Sequence, residues 1–541
     1  MRPPTSGAHE LPQPGIVSLV SRPTRRQFLD HAMRLASAWA GTRLLGCAEE
    51  TVAPPLVLDG WGTPSATESA FLPPASSRPA GMLEVFLLGG LNPWDTFYAV
   101  PEHGTPGRGG DYQGQQWWTF FNGPENVPDA FGACGGGPRD LIQPYAFAGD
   151  GKTVHLGPFL YPLRDRPDLI ARMRVIVTAH TNEPHQTAVP LVITGQPQGS
   201  PRAAGFASHV GRAFGERSPR DAPWSYLVLP DSVTVSALDA DVSAASGLHP
   251  GAARPLTVRL TRQNALLDDL ARKPFGSETA AADRLLARAL ARQSARLTPP
   301  GASAALASRH LSDYAHALDG LGRTEVLAPL ITRDILQPRP GEECGSAREI
   351  DSTAMGIGFG AHLLTRPEDA PAYVQVVDTG LVEGSNGGYD THEHHVRDSA
   401  PSVVHFARQL AATVNRPGEN DPSKLDLDRH CIVVSTEMGR TPFPQSGSEQ
   451  NLGLNHWPYG FVTVIIGGPI DASRAGVVGA IGEDGRATDA VTPAEIRAGL
   501  LLAQGIWPFS PEAFAVGHVG GARDELEAAA RVLERVLGFK A

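Results

Sequence analysis

Cysteine is scarce in this sequence, and no paired cysteine motif occurs. Four cysteines stand among 541 residues, and no two of them are separated by only two residues, which excludes a zinc site built from cysteine pairs. Cys134 and Cys344 lie in glycine-rich segments and could form a disulfide in an oxidising compartment. Cys431 opens an apolar, β-branched run and is predicted to be a buried strand residue.

Long basic runs and long apolar runs are missing too. The 46 Lys and Arg against 57 Asp and Glu give a formal net charge of −11 at pH 7, so nucleic acid is not an expected partner. Beyond the first 50 residues no stretch of about 18 apolar residues is uninterrupted, and no transmembrane helix is predicted. A Gly-x-Gly-x-x-Gly fingerprint after a strand is absent, which leaves no sign of a dinucleotide cofactor.

The residues that are present are typical of one large α/β domain with insertions. Hydrophobic residues make up 41% and charged residues 19%, a composition that excludes a disordered chain. The 59 Gly and 48 Pro predict many turn-rich loops between the regular elements. A length of 541 residues exceeds one ordinary domain and allows a sizeable buried core.

The N-terminal segment 1–47 is predicted to be an export signal. Arg25-Arg26 and the residues that follow resemble a twin-arginine signal, and the segment ending in Cys47 resembles a lipoprotein cleavage site. Lipidation at Cys47 would make an acyl anchor the only membrane contact. The alternative is an amphipathic helix, because two further arginines interrupt the apolar stretch. Residues 48–80, rich in Pro, Ser, Thr and Ala, are predicted to be a flexible tether.

These features predict export across the inner membrane. The twin-arginine machinery is then an expected partner, and the expected location is the periplasm or the outer membrane and cell surface.

Short apolar runs alternate with helical patterns through the rest of the chain. Such runs are typical of strands buried on both faces, and the alternation predicts a mostly parallel sheet covered by helices on both sides. Apolar spacing predicts helices around residues 311–321 and 403–414, and the segment from about 255 to 335 is predicted to be a helical insertion. The predicted strands are 82–88, 174–177, 226–229, 372–377, 431–435 and 461–466.

Polar loops follow four of these predicted strands, where ligand sites form in parallel sheets. Asp95 follows the first strand after a Gly-Gly turn, and its alternative role is that of a turn residue. His185 and Thr187 follow the second strand, at the start of a helix whose free N–H groups could bind an anion. The alternative there is a capped helix with solvated histidines.

Two further loops are richer in possible metal ligands. Asp390, His392, His394 and His395 fall within six residues, a set of nitrogen and oxygen donors that suits Zn, Mn or a similar divalent ion. Glu437 and Arg440 follow the strand 431–435, and His456 lies about 15 residues further on. Glu437 is placed where a strand ends, Arg440 could bind an oxyanion bidentately, and His456 could complete a metal shell.

Taken in order, these motifs resemble the exported bacterial family catalogued as domain of unknown function 1501, a branch of the alkaline phosphatase and sulfatase superfamily. The resemblance spans about residues 80–520. It implies an alkaline phosphatase-like three-layer sandwich over residues 81–541 with a mostly parallel sheet. The motifs are the Gly-Gly-x(4)-Asp-Thr-Phe loop ending at Phe97, residues 155–158 leading to 174–177, His185 before Ile193-Thr194-Gly195, Gly388-Tyr389-Asp390-Thr391-His392, and residues 437–442.

The superfamily resemblance implies one or two divalent ions that clamp a phosphate or sulfate ester. By position, Asp95 and Glu437 would serve one ion, whereas Asp390, His456 and either His392 or His394 would serve the other. Zn, Mn, Ca and Mg all remain candidates.

This chain departs from the superfamily pattern at two positions. Met438 stands where a histidine ligand is usual, and a thioether does not suit a hard ion. The nucleophile position, nine residues before Thr194, holds His185 and no hydroxyl. Three nucleophiles therefore stay open: a hydroxide activated by the metal, His185 acting covalently or as acid and base, or Thr181 or Thr187 after a shift of the loop.

Two functional hypotheses follow. The first is an exported, metal-dependent hydrolase of phosphate or sulfate esters, acting on a small or polymeric anionic substrate. The second is a non-catalytic surface lipoprotein that uses the same fold to bind a glycan or a protein, and the departures at Met438 and His185 motivate it.

Overall fold

The computed structural model describes the greater part of the chain downstream of residue 61. The predicted signal with Arg25, Arg26 and Cys47 lies outside the described residues, as do Cys134, Cys344 and the predicted helix at 311–321. All described residues belong to the compact unit Leu56–Ala541. The main described ranges are 62–100, 152–197, 204–217, 225–230, 255–260, 351–367, 370–381, 389–443, 453–509 and 513–540, with short pieces between them.

An eight-stranded sheet organises the domain. Its spatial order is β8–β2–β7–β6–β1–β5–β3–β4. Strand β7 is antiparallel to both of its neighbours, and every other neighbouring pair is parallel. The sheet is therefore mostly parallel, as predicted. The strands are β1 (Gly81–Leu87), β2 (Met173–Thr178), β3 (Ser225–Pro230), β4 (Leu256–Leu260), β5 (Tyr373–Asp378), β6 (His430–Ser435), β7 (Phe461–Gly467) and β8 (Gly476–Val478).

Helices cover both faces of the sheet, because the central strands are apolar on both sides. Leu83 and Val85 of β1 belong to the hydrophobic cluster that includes helices α3 and α4, whereas Met82 belongs to the cluster that includes α2, α5 and α6. The result is a mixed α/β domain with its core above and below the sheet. The helices are α1 (His185–Thr194), α2 (Phe206–Arg217), α3 (Ser352–Leu364), α4 (His395–Thr413), α5 (Pro493–Ala503) and α6 (Glu525–Val532).

Shorter elements complete the described part. A four-residue α-helix spans Pro167–Ile170, and a π-helical turn spans Leu533–Leu537. The 3-10 helices are Glu68–Phe71, Ala75–Ser77, Pro158–Asp165 and Val516–His518. Two-stranded pairs join Asp111–Tyr112 to Gln115–Gln116, Ala146–Gly149 to Lys152–His155, Gly439–Arg440 to His456–Trp457, and Ala480–Ile481 to Ala487–Asp489. No helix in these ranges is both long and apolar enough to cross a membrane.

The six predicted strands are confirmed within two residues at each end, and the helix predicted at 403–414 coincides with the second half of α4, which ends one residue earlier. Cys431 is buried in β6, where burial raises the pKa of its thiol to about 12. The start of the predicted helical insertion is wrong, because Leu256–Leu260 form the edge strand β4. Val258 is buried while Thr257 and Arg259 are exposed, the two-residue period of a strand.

Part of the predicted tether packs against the folded domain. The carbonyl of Gly62 accepts a hydrogen bond of 2.8 Å from the backbone N–H of Trp507. Leu72 is buried in the same cluster as α5 and α6, with Phe71 packed against it. The described residues 62–80 therefore belong to the body of the domain.

A buried ion pair crosses from the sheet to one helical layer. Glu84 of β1 and Arg497 of α5 are both almost fully buried, and two hydrogen bonds of 2.6 and 2.7 Å join the guanidinium to the carboxylate. Tyr373 and Ser435, on the strands flanking β1, donate their hydroxyls to the same carboxylate. All four side chains are thereby satisfied within the core.

Strand direction decides which loops can meet. The carboxyl ends of β1, β2, β5 and β6 lie at one edge of the sheet because these strands run in the same direction. Strand β7 runs in the opposite direction, so its amino end reaches that edge and brings the preceding residues, among them His456, to the same place. The described segments that meet at this edge are 88–95, 179–185, 379–381, 389–395 and 436–440, together with 453–460.

Candidate metal and catalytic site

Asp390 lies at the centre of this edge, between β5 and α4. Its Oδ1 is 3.0 Å from Nε2 of His392 and 3.4 Å from Nε2 of both His185 and His456, and it accepts a short hydrogen bond from Nη2 of Arg440. Burial by itself would raise the pKa of Asp390, but the charge of Arg440 and the histidine hydrogen bonds lower it far below its usual value. Asp390 is therefore ionised at any physiological pH.

A glycine turn at the end of β1 makes room for Asp390. Gly89 has a φ of 121°, and a Cβ built there would lie 2.5 Å from the backbone nitrogen of Asp390. Only a glycine allows this φ and this approach together. The Gly-Gly motif that predicted a tight turn thus also sets how closely the two loops pack.

His185 is the first residue of α1 and lies against two carboxylates. Its Nδ1 is 2.8 Å from Oε1 of Glu437, and its Nε2 faces Asp390. Burial would lower the pKa of His185, but its hydrogen bonds to Asp390 and Glu437 and the charges of these carboxylates raise it to about 9. The helix start thus places an imidazole between two anions, where a cation is favoured.

His456 lies just before the antiparallel strand β7, in the short strand His456–Trp457. The pair Gly439–Arg440 and His456–Trp457 places His456 opposite Arg440, so both side chains reach Asp390 from the same side. Nδ1 of His456 is 2.9 Å from the backbone carbonyl oxygen of Glu183. Burial lowers the pKa of His456, Asp390 opposes this, and Arg440 and His185 lower the pKa further. This histidine is neutral at neutral pH and can offer a lone pair.

His392 completes the ring of imidazoles around Asp390. Its Nε2 is 3.0 Å from Nε2 of His456, and its Nδ1 is 2.7 Å from Oε1 of Gln445. Ligand atoms of His185, Asp390 and His456 all lie within 4.8 Å of one another, the spacing of a possible metal site. His394 is at the N-cap of α4 and does not belong to that group of atoms.

Glu437 is fully buried behind His185 and does not face the centre of the site. Its Oε1 accepts hydrogen bonds from the Gly89 N–H at 2.7 Å and from His185, and its Oε2 accepts one from Thr436 at 3.2 Å. His180 also contacts this residue, 2.7 Å from its backbone oxygen. Met438, the residue after it, is buried as well. Glu437 therefore fixes the orientation of His185.

Arg440 is also buried, and its nitrogens are engaged within the protein. Nη2 donates to the backbone oxygen of Gly89 and to Asp390, Nε donates to Gly90, and Nη1 donates to Leu454. An oxyanion clamp needs two exposed donors on one side of the guanidinium. The contacts here suit the positioning of Asp390 better than bidentate substrate binding.

Asp95 lies in a neighbouring hydrogen-bonded group. Its Oδ2 is 2.8 Å from Nε2 of His395 and accepts a hydrogen bond of 2.6 Å from Asn92, while its Oδ1 has no hydrogen-bond partner among the described residues. Burial raises the pKa of Asp95, although His395 partly offsets this. In the described contacts Asp95 and Glu437 have no common partner. Of the predicted site residues, Asp390, His185, His456 and Glu437 are thus linked by their contacts, whereas Asp95 contacts Asn92 and His395.

The threonines proposed as alternative nucleophiles do not face Asp390 in the described contacts. The hydroxyl of Thr187 donates a 3.0 Å hydrogen bond to the carbonyl oxygen of Pro184, inside the first turn of α1. Thr181 lies upstream and is exposed.

Aromatic side chains and one arginine line the outer rim beside His456. The Arg486 guanidinium lies 4.1 Å from the ring centre of Tyr459 and 5.0 Å from that of Trp457. Phe443 is 47% exposed and contacts Trp457 edge to face. Tyr459 donates a 2.6 Å hydrogen bond to Glu183, whose carbonyl holds His456. An apolar surface that carries one positive charge therefore adjoins the site.

Several residues that shape the site were not predicted. His395 was noted only as part of a histidine-rich segment, and its partnership with Asp95 depends on a contact across 300 positions. Gln445 and the Glu183 carbonyl hold histidines in place, but a single glutamine or a backbone oxygen carries no sequence signal. His456 reaches the site because β7 is antiparallel to its neighbours. An apolar run does not show the direction of a strand, so the sequence could not predict this position.

Comparison with known proteins shows the family to which the chain is similar. The family described as "Protein of unknown function (DUF1501)" matches residues 82–537. No curated protein and no solved structure matches the chain. The match spans β1 to the last helical turn and therefore includes every residue of the site.

Proposed function

The chain belongs to the DUF1501 family, and from the chemistry of its site we propose that it is a metal-dependent hydrolase of phosphate or sulfate esters. The observation that carries the proposal is the convergence of His185, Asp390 and His456 at the carboxyl edge of a mostly parallel sheet. Imidazoles and an ionised carboxylate are ligands that divalent ions take in hydrolases. An edge of this kind is also where α/β enzymes place their sites.

The donor chemistry fits a divalent ion. Nε2 of His185 is buried and lies 3.4 Å from Oδ1 of Asp390, at the long end of the hydrogen-bond range. A bound ion would polarise the ester and lower the pKa of a water to about 7. In this proposal the three side chains hold the ion, Glu437 orients His185, and Arg440 keeps Asp390 in place.

Three features support an anionic ester as the substrate class. The motif order resembles the alkaline phosphatase and sulfatase superfamily, and we propose an alkaline phosphatase-like three-layer sandwich as the finer fold. The positive charge of Arg486 lies at the rim, where it would attract an anion. The exposed ring of Phe443 nearby offers a surface for the organic part of an ester.

We also propose that the reaction takes place outside the cytoplasm. Arg25, Arg26 and Cys47 support twin-arginine export and a lipid anchor. Export should fail when both arginines are replaced by lysine, and Cys47→Ala should release the protein from membranes. Membrane association that survives Cys47→Ala would contradict the anchor.

The experiment that tests the activity compares aryl phosphates with aryl sulfates as substrates. Wild-type protein supplied with zinc should hydrolyse one of the two classes, and Asp390→Ala should abolish that activity. The matched control is Asp428→Ala, which removes an exposed carboxylate that pairs with Arg172. Activity that survives in Asp390→Ala would refute the proposal.

A specific observation favours a second function, a non-catalytic module that binds a glycan or a protein. The hydroxyl of Thr187 and the donors of Arg440 are engaged within the protein, so neither a hydroxyl nucleophile nor an oxyanion clamp is available in this arrangement. Zinc binding without hydrolysis of either ester class would favour this module.

A further inference from the structure

We propose that Asp95 acts on the site through His395 and Thr391, in a hydrogen-bonded network that positions Asp390. Asp95, His395 and Thr391 are then positioning residues, and Asp95 touches neither the substrate nor an ion. The inference rests on the proposed function and deepens it, because it gives these three residues a role in that same reaction.

The first step concerns the contacts of the Asp95–His395–Thr391 network. Nε2 of His395 is 2.8 Å from Oδ2 of Asp95, and Nδ1 of His395 is 2.7 Å from Oγ1 of Thr391. Asp95 is 0% exposed, and His395 and Thr391 are each 2% exposed. Thr391 follows Asp390 directly in the sequence. The network therefore connects the loop after β1 to the residue beside Asp390, without reaching the surface.

The second step concerns the direction of these hydrogen bonds. Oδ2 of Asp95 also accepts a 2.6 Å hydrogen bond from Nδ2 of Asn92, which lies 3.1 Å from Nε2 of His395. When Asp95 accepts both contacts as a carboxylate, the ring hydrogen of His395 lies on Nε2. Nδ1 then carries the lone pair and accepts the hydroxyl hydrogen of Thr391. Asp95 thus decides how the Thr391 hydroxyl is bound.

The third step concerns how firmly Asp95 is held. A Cβ at Gly157 would collide with the backbone of Asp95, so only glycine allows this approach. The backbone N–H of Phe159 donates a 3.0 Å hydrogen bond to the carbonyl oxygen of Asp95, and the Phe159 ring lies against His395 with 6.1 Å between the ring centres. The motif at residues 155–158 therefore has a role, because it fixes the first member of the network.

The fourth step concerns the effect on Asp390. Its two neighbours in the sequence, Tyr389 and Thr391, are buried, whereas Asp390 is partly exposed. The Tyr389 hydroxyl donates a 2.9 Å hydrogen bond to Asp378, and the Thr391 hydroxyl contacts His395. Hydroxyl contacts in the interior thus hold the chain on both sides of Asp390. A functional side chain must be held to within about 0.5 Å of its productive position, which gives these contacts a consequence for the reaction.

The fifth step concerns the ligand role that the superfamily resemblance implies for Asp95. Within the described ranges, the group of close metal-ligating atoms at Asp390 does not include Asp95. Full burial also keeps Asp95 from a substrate in solution. Its described side-chain contacts are with Asn92 and His395, which suits the support of another residue.

Ester hydrolysis by Thr391→Val and Thr391→Ser separates the hydrogen bond from packing. Valine keeps the shape of threonine without the hydroxyl, whereas serine keeps the hydroxyl. We expect kcat to fall about 10- to 100-fold in Thr391→Val and to stay at the wild-type value in Thr391→Ser. The matched control is Thr413→Val, which removes a buried hydroxyl bound to Gln409 at the other end of α4 and should leave kcat unchanged. Wild-type kcat in Thr391→Val, or an equal loss in Thr391→Ser, would overturn the inference.

A double-mutant cycle tests whether Asp95 acts through Thr391. Asp95→Asn keeps the size of the side chain and removes its charge, and we expect kcat to fall about 10- to 100-fold. The double variant Asp95→Asn, Thr391→Val should lose no more than the more damaging single variant, because both changes break the same network. Losses that multiply would show that Asp95 acts directly, as a ligand or on the substrate, and would overturn the inference.

Crystal structures of the wild type, Thr391→Val and Thr413→Val give a readout that needs no activity. We expect Oδ1 of Asp390 to move by more than about 0.5 Å relative to β5 in Thr391→Val and to stay in place in Thr413→Val. An Asp390 that does not move in Thr391→Val would overturn the inference. Failure of the proposed function is a separate result: a wild type that hydrolyses neither ester class would refute the hydrolase, while a displaced Asp390 would still support the network.

Discussion

Two buried polar clusters, both reached by β1, differ in how completely their charges are satisfied. Around Glu84, both carboxylate oxygens accept hydrogen bonds from Arg497 and from a neighbouring hydroxyl, and the side chain is fully buried. Around Asp390, three imidazole nitrogens face a single oxygen, and part of the carboxylate is exposed. The first cluster is closed, whereas the second gathers three imidazole nitrogens and one guanidinium group around one carboxylate oxygen.

The difference follows from position along the strand. Glu84 lies mid-strand, where partners on β5, β6 and α5 enclose it, so only a complete ionic network is tolerated there. Asp390 lies beyond the carboxyl end of a strand, where loops leave space for a ligand. A buried charge that its partners enclose supports the fold, and a partly exposed carboxylate at a strand end, approached by several imidazoles, indicates a binding site.

Opening the closed cluster should have the largest effect on stability. Glu84→Ala leaves Arg497 buried without its carboxylate, and we expect a loss of about 3–5 kcal/mol in the free energy of unfolding. Chemical denaturation measures it, and the double variant Glu84→Leu, Arg497→Met should recover part of the loss. Removing the exposed pair through Asp428→Ala should cost less than about 1 kcal/mol. Equal losses in Glu84→Ala and Asp428→Ala would contradict the comparison.

Displacing the loop at Asp390 should have the second-largest effect on stability. Gly89→Ala forces a Cβ against the backbone of Asp390 at a φ of 121°, and we expect a loss of about 3 kcal/mol together with weaker zinc binding. Gly418→Ala is the matched control, because its φ is also positive but no atom lies within 4 Å of the added Cβ. Zinc binding should be unchanged in that control. Equal zinc affinities in the two variants would show that Gly89 does not position the site.

Weakening the hydrogen bond that Glu437 makes to His185 should have a smaller effect on stability. Glu437→Gln removes the charge behind His185, and we expect zinc affinity to fall about 10- to 100-fold with little change in unfolding. Competition with a chelator at pH 7 measures it. Unchanged affinity would mean that Glu437 does not act through His185.

A buried histidine outside both clusters should give the smallest effect. Burial, and then the charge of Arg212, lowers the pKa of His209 to about 3, in contrast to His185. Because the unfolded chain binds the proton more readily, His209 contributes stability fully above its unfolded pKa of about 6.5 and loses it as pH falls towards 3. From pH 7 to 5.5 the loss should be about 1 kcal/mol, and His209→Gln should lack that part of the pH dependence. A variant with the wild-type pH dependence would contradict the shift.

The sheet was readable from the sequence where strands are apolar on both faces. The six central strands are mostly apolar runs that include β-branched residues, whereas β4 alternates and β8 has only three residues, so neither stood out. The predicted helical insertion began within β4 because arginine and alanine dominate the residues that follow it.

The site was readable only in part. Strand ends predicted Asp390 and Glu437 correctly as members of one edge, but not that Glu437 supports His185 or that Asp95 pairs with His395. Those roles depend on contacts between distant segments. The two positions at which the chain departs from the superfamily pattern, Met438 and His185, are connected through Glu437. Met438 is buried next to Glu437 in the chain, and the carboxylate of Glu437 contacts His185.

The metal content of the exported chain, measured by mass spectrometry after mild dialysis, tests the central claim most directly. We predict one divalent ion per wild-type chain and none in Asp390→Ala. A wild-type chain that retains no metal, or an Asp390→Ala chain that retains as much as the wild type, would contradict the metal centre at Asp390.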